Sequence, residues 1–234
     1  MEEEITRILK MVEEGKLSAE EANRLLSSLM GAEAGKHERF SVRIGHDKPG
    51  AEKIVRDYEG LSEFRLDLSA CMAEMELWDQ DAIHIEAWLD ECCGEFTESE
   101  GAAQVKGARV HARFPKHLKL TLDSSASRVE GEIPLQTDLN CSAGKAELRG
   151  LGWGDVSISA GKAEIELAEE PGPLKLNVSA GKVDVVVPEP RKFARGSSSC
   201  SAGRVDVDER LIDPAEPPLD VDCSAGKVRV ERKH

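Results

Sequence analysis

Ser142-Ala143-Gly144-Lys145 puts a hydroxyl, a backbone stretch without bulk and an ammonium group within four residues. Such a set could cradle a phosphate or present a serine nucleophile beside a cation. The tetrapeptide returns as Ser159-Ala160-Gly161-Lys162, Ser179-Ala180-Gly181-Lys182, Ser201-Ala202-Gly203-Arg204 and Ser224-Ala225-Gly226-Lys227. A phosphate loop requires a helix whose N-terminus faces the anion, whereas alternating residues follow every one of these glycines. A nucleophilic serine requires a base within reach, and no histidine recurs with the five serines. The six histidines (His37, His46, His84, His111, His117, His234) have no metal-ligand spacing, although His84 shares a strand face with Glu86. Aromatic residues make up only 4% of the chain, which leaves little platform for stacking sugars. The residues therefore predict a protein that is not an enzyme and carries no cofactor or metal.

The spacing explains what the motif does instead. Its serines fall at 142, 159, 179, 201 and 224, a period close to twenty, with a degenerate copy at Ser125-Ala126-Ser127-Arg128 and a fainter one at Ser69-Ala70-Cys71-Met72. Such a period marks a repeat architecture. Residues alternate before the motif (Leu139-Asn140-Cys141, Val156-Ser157-Ile158) and after it (Ala146-Glu147-Leu148, Val183-Asp184-Val185). Period-two alternation on both sides of a small-residue kink predicts strand, corner, strand. Stacked coils of this kind make a mainly β protein, a parallel β-helix or solenoid over residues 62–234, with irregular early coils around 64–68, 82–87 and 110–115.

Each motif residue then takes a structural expectation. Ala143, Ala160, Ala180, Ala202 and Ala225 fill a crowded inner corner, glycine gives the freedom to bend, and serine bonds the turn backbone. Cys141, Ile158, Val178, Cys200 and Cys223 form an inward stack, with Cys200 and Cys223 on adjacent coils. Lys145, Lys162, Lys182, Arg204 and Lys227 form an outer basic ladder. Glu147, Glu164, Asp184 and Asp206 form an acidic ladder beside it, broken by Arg229. Opposite rows offset like-charge repulsion along each row; the alternative is a stripe that binds an anionic glycan or lipid headgroup. Glu231-Arg232-Lys233-His234 is expected to cap the last coil with charge.

Ahead of the repeats, Ile5, Ile8, Leu9 and Val12 recur at helical spacing, and Gly15 ends that run. Ser18-Ala19-Glu20-Glu21 is a capping box, followed by Ala22, Leu25, Leu26 and Leu29 on one face. Residues 1–30 are thus a small N-terminal α-helical hairpin, and 31–61 a linker and irregular entry segment. Two helices this short cannot bury a sufficient core alone, so the hairpin is the candidate element for self-association or for recruiting a protein partner.

Composition narrows the partners. The formal net charge of −14 repels nucleic acid and anionic surfaces. No run approaches a membrane span or a secretory leader, which predicts a cytoplasmic protein without direct membrane insertion. The six cysteines are expected to be reduced and mostly buried. Cys92-Cys93, read as part of a strand, would point its side chains to opposite faces and could not share an ion.

"VSISAGKAEIEL", "LNVSAGKVDVVVP" and "VDCSAGKVRV" give residues from about 62 to 230 a resemblance to the putative-adhesin β-solenoid family of unknown function. "ILKMVEEGKLSAEEANRLL", residues 8–26, is similar to the N-terminal domain fused to such solenoids in Gram-positive envelope-stress proteins. The resemblance implies a right-handed parallel β-helix, no catalytic residues, and a role in a cell-envelope stress response. Adhesion, or a bactofilin-like filament of stacked solenoids, stands as the alternative.

Overall fold

The computed structural model describes residues 52–233, within a unit spanning Pro49–His234. The expected hairpin with Ile5, Ile8, Leu9, Val12, Leu25, Leu26 and Leu29 lies outside the described residues. The described chain is mainly β, in one large mixed sheet.

The alternating stretches around the motif are strands. β1 (Lys53–Glu59), β2 (Glu63–Ser69), β3 (Met72–Trp78) and β4 (Ala82–Leu89) come first, and β1 falls within the segment expected to be linker and entry. β5 (Glu95–Ser99), β6 (Ala102–Lys106) and β7 (Ala108–Pro115) follow. Three long strands run straight through a motif copy: β8 (Lys119–Glu132), β9 (Gln136–Leu151) and β10 (Gly154–Leu167). In the last three repeats the corner splits each pair of strands. These are β11 (Leu174–Val178) with β12 (Lys182–Val187), β13 (Ala194–Cys200) with β14 (Arg204–Val207), and β15 (Pro218–Cys223) with β16 (Lys227–Arg232).

Repeats pair in parallel and in register, as their common spacing predicts. Ala143, Gly144 and Lys145 lie opposite Ala160, Gly161 and Lys162, Lys162 opposite Lys182, and Lys182 opposite Lys227. Corner backbones bond to the next corner, with the Ala180 and Ala225 N–H groups donating to the Ser159 and Ser179 carbonyls at 2.8 Å.

The corner residues are arranged differently from the expectation. Ala160, Ala180, Ala202 and Ala225 are exposed and Ala143 is half-buried, so alanine does not fill an inner corner. Glycine is what the stacking demands. A Cβ on Gly161 would lie 2.7 Å from the Gly144 carbonyl oxygen, and one on Gly226 would lie 2.6 Å from that of Gly181. Only close backbone approach explains these positions; among the five motif glycines a positive φ is needed at Gly144 alone (+119°). The motif serines all stand on the outer surface.

The inward stack carries the core. Cys141, Ile158, Val178 and Cys223 are each no more than 2% exposed. Leu122, Leu139, Val156, Leu176 and Val221 line up two residues earlier. Burying each such side chain stabilises the fold by about 2 kcal/mol before entropy is charged. Cys200 shares this register opposite Cys223, yet it is exposed. The prediction of mostly buried cysteines holds only for Cys71, Cys141 and Cys223.

Cys200 is exposed because the repeats do not stack in chain order. β15 lies between β11 and β13, and β16 lies between β12 and β14. The last repeat in sequence is thus slotted between the two that precede it. β13 and β14 form the outer edge, and nothing pairs beyond them among the described residues. Glu231-Arg232-Lys233 therefore does not cap the open end of the stack. A similar exchange occurs at the other end, where β2 lies between β6 and β8, and β3 between β7 and β8. There the chain adds antiparallel strands: β5 on β6, β4 on β7 and β1 on β4.

Candidate functional site

Alternation puts the basic ladder and its acidic neighbours on the same outward face, two residues apart. The ladder runs Lys145, Lys162, Lys182, Lys227, Arg204 across the sheet. Four of its five charges are used within the strands, and Lys227, followed by Arg229 rather than an acid, is the exception. Lys145 pairs with Glu147, Lys162 with Glu164 and Lys182 with Asp184, and Arg204 pairs with Asp206 at 3.3 Å. The Lys145 ammonium holds the Glu147 carboxyl below its ordinary range, and the Glu164 carboxylate raises Lys162. Arg229, which breaks the acidic row, lies between Asp184 and Asp206 on the flanking strands.

Beside the ladder, β3, β8, β9 and β10 form an open groove of about 900 Å³. Glu74, Glu76, Glu130, Glu147, Glu164 and Glu166 line it, with Arg149. The sequence reading did not single this groove out, because its glutamates come from four strands brought together only by stacking. A glycan or headgroup anion approaching Lys145, Lys162 or Lys182 would meet lysines already paired and a glutamate-lined trough beside them.

His84 and Glu86 share a face of β4, as expected, and Asp57 on the neighbouring strand β1, opposite His84, joins them there. Its Nδ1 lies 2.6 Å from Asp57 Oδ1 and its Nε2 lies 3.1 Å from Glu86 Oε1. Lys53 closes the group at 2.7 Å from Glu86. The hydrogen bond to Asp57, then that to Glu86, raises the His84 pKa. Lys53 first, then His84, pushes Glu86 down to about 2. A raised histidine pKa stabilises the fold fully below its unfolded value near 6.5, and that contribution is lost as pH rises through the folded value. Wild type is expected to lose melting temperature between pH 6 and pH 9 relative to His84→Gln. Parallel melting-temperature profiles would contradict this.

Arg191, which the sequence reading passed over, is 3% exposed. Its guanidinium donates to the carbonyls of Ala168 at 2.9 Å, Gly172 at 3.3 Å and Leu151 at 3.4 Å, and to that of Gly152. It also lies 4.9 Å from the Phe193 ring. Burial pulls its pKa down to about 10, still charged at neutral pH. The planar fork ties together carbonyls at the end of β9 and in the turns that follow β9 and β10, a span lysine cannot reproduce. Arg191→Lys is expected to cost about 3 kcal/mol in urea unfolding, since buried bonds to a charged donor are lost; a loss below about 1 kcal/mol would show the clasp to be dispensable.

No helix among the described residues is long and apolar enough to cross a membrane. A SHOCT-like domain model matches residues 3–34. Among solved structures, a putative cell adhesion protein from Clostridium sporogenes is 11% identical with a TM-score of 0.41, covering 79% of this chain and all of its own (100%). A putative adhesin from Bacteroides fragilis is 14% identical with a TM-score of 0.32, covering 78% of this chain and 99% of that one. No curated protein matches the chain.

Proposed function

We propose that this chain is a non-enzymatic β-solenoid scaffold whose N-terminal hairpin recruits a partner protein or a second copy. The observation that carries the scaffold reading is the in-register stack of the motif corners, in which glycine packs on glycine. The recurring groups are thereby assigned to architecture: backbone at the corner, aliphatic side chains inside, ion pairs outside. We take the winding to be right-handed and the setting to be a cell-envelope stress response, on the resemblance of residues 8–26 and 62–230.

The recruiting role rests on the sequence of residues 1–30, whose apolar faces exceed what two short helices can bury between themselves. Light scattering after size-exclusion chromatography, with pull-down, tests it on the full chain and on the variant Ile8→Glu, Leu26→Glu. A changed mass or a lost partner supports the role. Unchanged mass and unchanged captured proteins contradict it.

A further inference from the structure

The segment between β4 and β5 departs from the strand expected there. β4 ends at Leu89, and Glu91, Cys92 and Cys93 form a turn. The Gly94 N–H donates back to the Asp90 carbonyl at 2.8 Å and closes it. The Asp90 N–H donates to the Gly107 carbonyl at 2.9 Å, which fastens the turn to the corner between β6 and β7. Within the turn, the Cys92 N–H and the Cys92 thiol both donate to Asp90 Oδ1, each at 3.3 Å.

Two glycines make this packing possible. A Cβ on Gly94 would lie 2.6 Å from the Asp90 backbone, and one on Gly107, at φ +56°, would lie 2.9 Å from Cys93 Sγ. The adjacent cysteines therefore do not point apart. A carboxylate oxygen of Asp90 and the sulfurs of Cys92 and Cys93 all lie within 4.8 Å of one another, on three exposed residues.

We propose that Asp90, Cys92 and Cys93 bind a thiophilic divalent cation of the zinc class, with a coordination position left open to solvent. Two sulfur donors select such an ion over magnesium or calcium, which take oxygen ligands. Tetrahedral coordination with metal–sulfur bonds of about 2.3 Å puts sulfurs a little under 4 Å apart, so the three donors need only contract slightly. The ion binds two thiolates and one carboxylate. Both thiol protons leave to solvent, and the loaded site carries one net negative charge. Because both thiols must lose their protons to bind, protons compete with the metal, and affinity rises with pH through the neutral range.

Cobalt(II) is the probe, titrated into the full chain under a non-thiol reductant. One ion per chain is expected, with a thiolate-to-cobalt charge-transfer band and about two protons released per ion in weak buffer. Cys92→Ser and Cys93→Ser are each expected to weaken binding by more than about a hundredfold, beyond the loss typical of outer-shell partners, while Cys200→Ser leaves it unchanged. All three residues are exposed, so circular dichroism of the variants should match wild type. Absence of the band, or a band that either Cys92→Ser or Cys93→Ser leaves intact, overturns the assignment.

Discussion

A chain that stops after Pro217 is expected to lose the order of residues 188–217. Among the described residues, only β15 and β16 join β13 and β14 to the body, because the last repeat lies between its two predecessors. Removing it takes away the buried side chains Leu219, Val221, Val228 and Val230, on the order of 8 kcal/mol of apolar burial. That is comparable with the net stability of a whole domain, roughly 5–15 kcal/mol. The truncated protein should melt at least about 10 °C lower and be cleaved by protease between Pro188 and Pro217. A truncated protein with the melting temperature and cleavage pattern of the full chain would mean that β13 and β14 hold to the body some other way.

The second large effect is expected at one corner. Gly144 has φ +119°, and a Cβ there would sit 2.1 Å from the Ser127 carbonyl oxygen. Gly144→Ala therefore combines a backbone conformation that costs an alanine about 1–3 kcal/mol with a clash against immovable main chain. We expect a loss of about 4 kcal/mol in urea unfolding, near the upper end for a single substitution. Gly60 separates the two contributions. It also has a positive φ, +68°, but nothing lies within 4 Å of its added Cβ; Gly60→Ala should cost only about 1 kcal/mol. Equal losses at the two positions would show that close packing of the corners is not what selects glycine.

Period and alternation foretold much of the fold, and the reason is physical. A two-residue period says which side chains share a face, and a common spacing says which residues can lie opposite one another. Hence the register of Lys145, Lys162 and Lys182 and the inward row of Cys141, Ile158 and Val178 were legible. The order of stacking was not. Every repeat presents nearly the same edge to either neighbour, so the intervening segments at 188–193 and 208–217 decide whether the next repeat extends the stack or leaves a gap to be filled. Alternation is also the same in parallel and antiparallel pairs, which hid the antiparallel additions of β1, β4 and β5.

Single residues failed for other reasons. A basic residue is ordinarily solvated, and Arg191 is buried only because carbonyls 19 to 40 residues away in sequence converge on it. Cys92 and Cys93 looked like strand residues, yet the bonds from Gly94 and Asp90 turn the chain before they can alternate. The outward alanines were misassigned because a small residue suits a crowded corner equally well from inside or outside. The partner-recruiting hairpin was legible as helical spacing, but it lies outside the described residues.

Two double variants ask directly whether the motif copies are stacked corners with the last repeat slotted inward. Val178 lies opposite Cys223, and Cys223 opposite Cys200, so residues 178 and 200 stand two strands apart, about 9.6 Å. A disulfide spans Cα atoms about 4.4–6.8 Å apart. Under mild oxidation, Val178→Cys with Cys200→Ser is expected to give a 178–223 disulfide by mass spectrometry, and Val178→Cys with Cys223→Ser none between 178 and 200. The reverse pattern, a 178–200 disulfide and no 178–223 disulfide, would mean that the repeats stack in chain order and would contradict the architecture described.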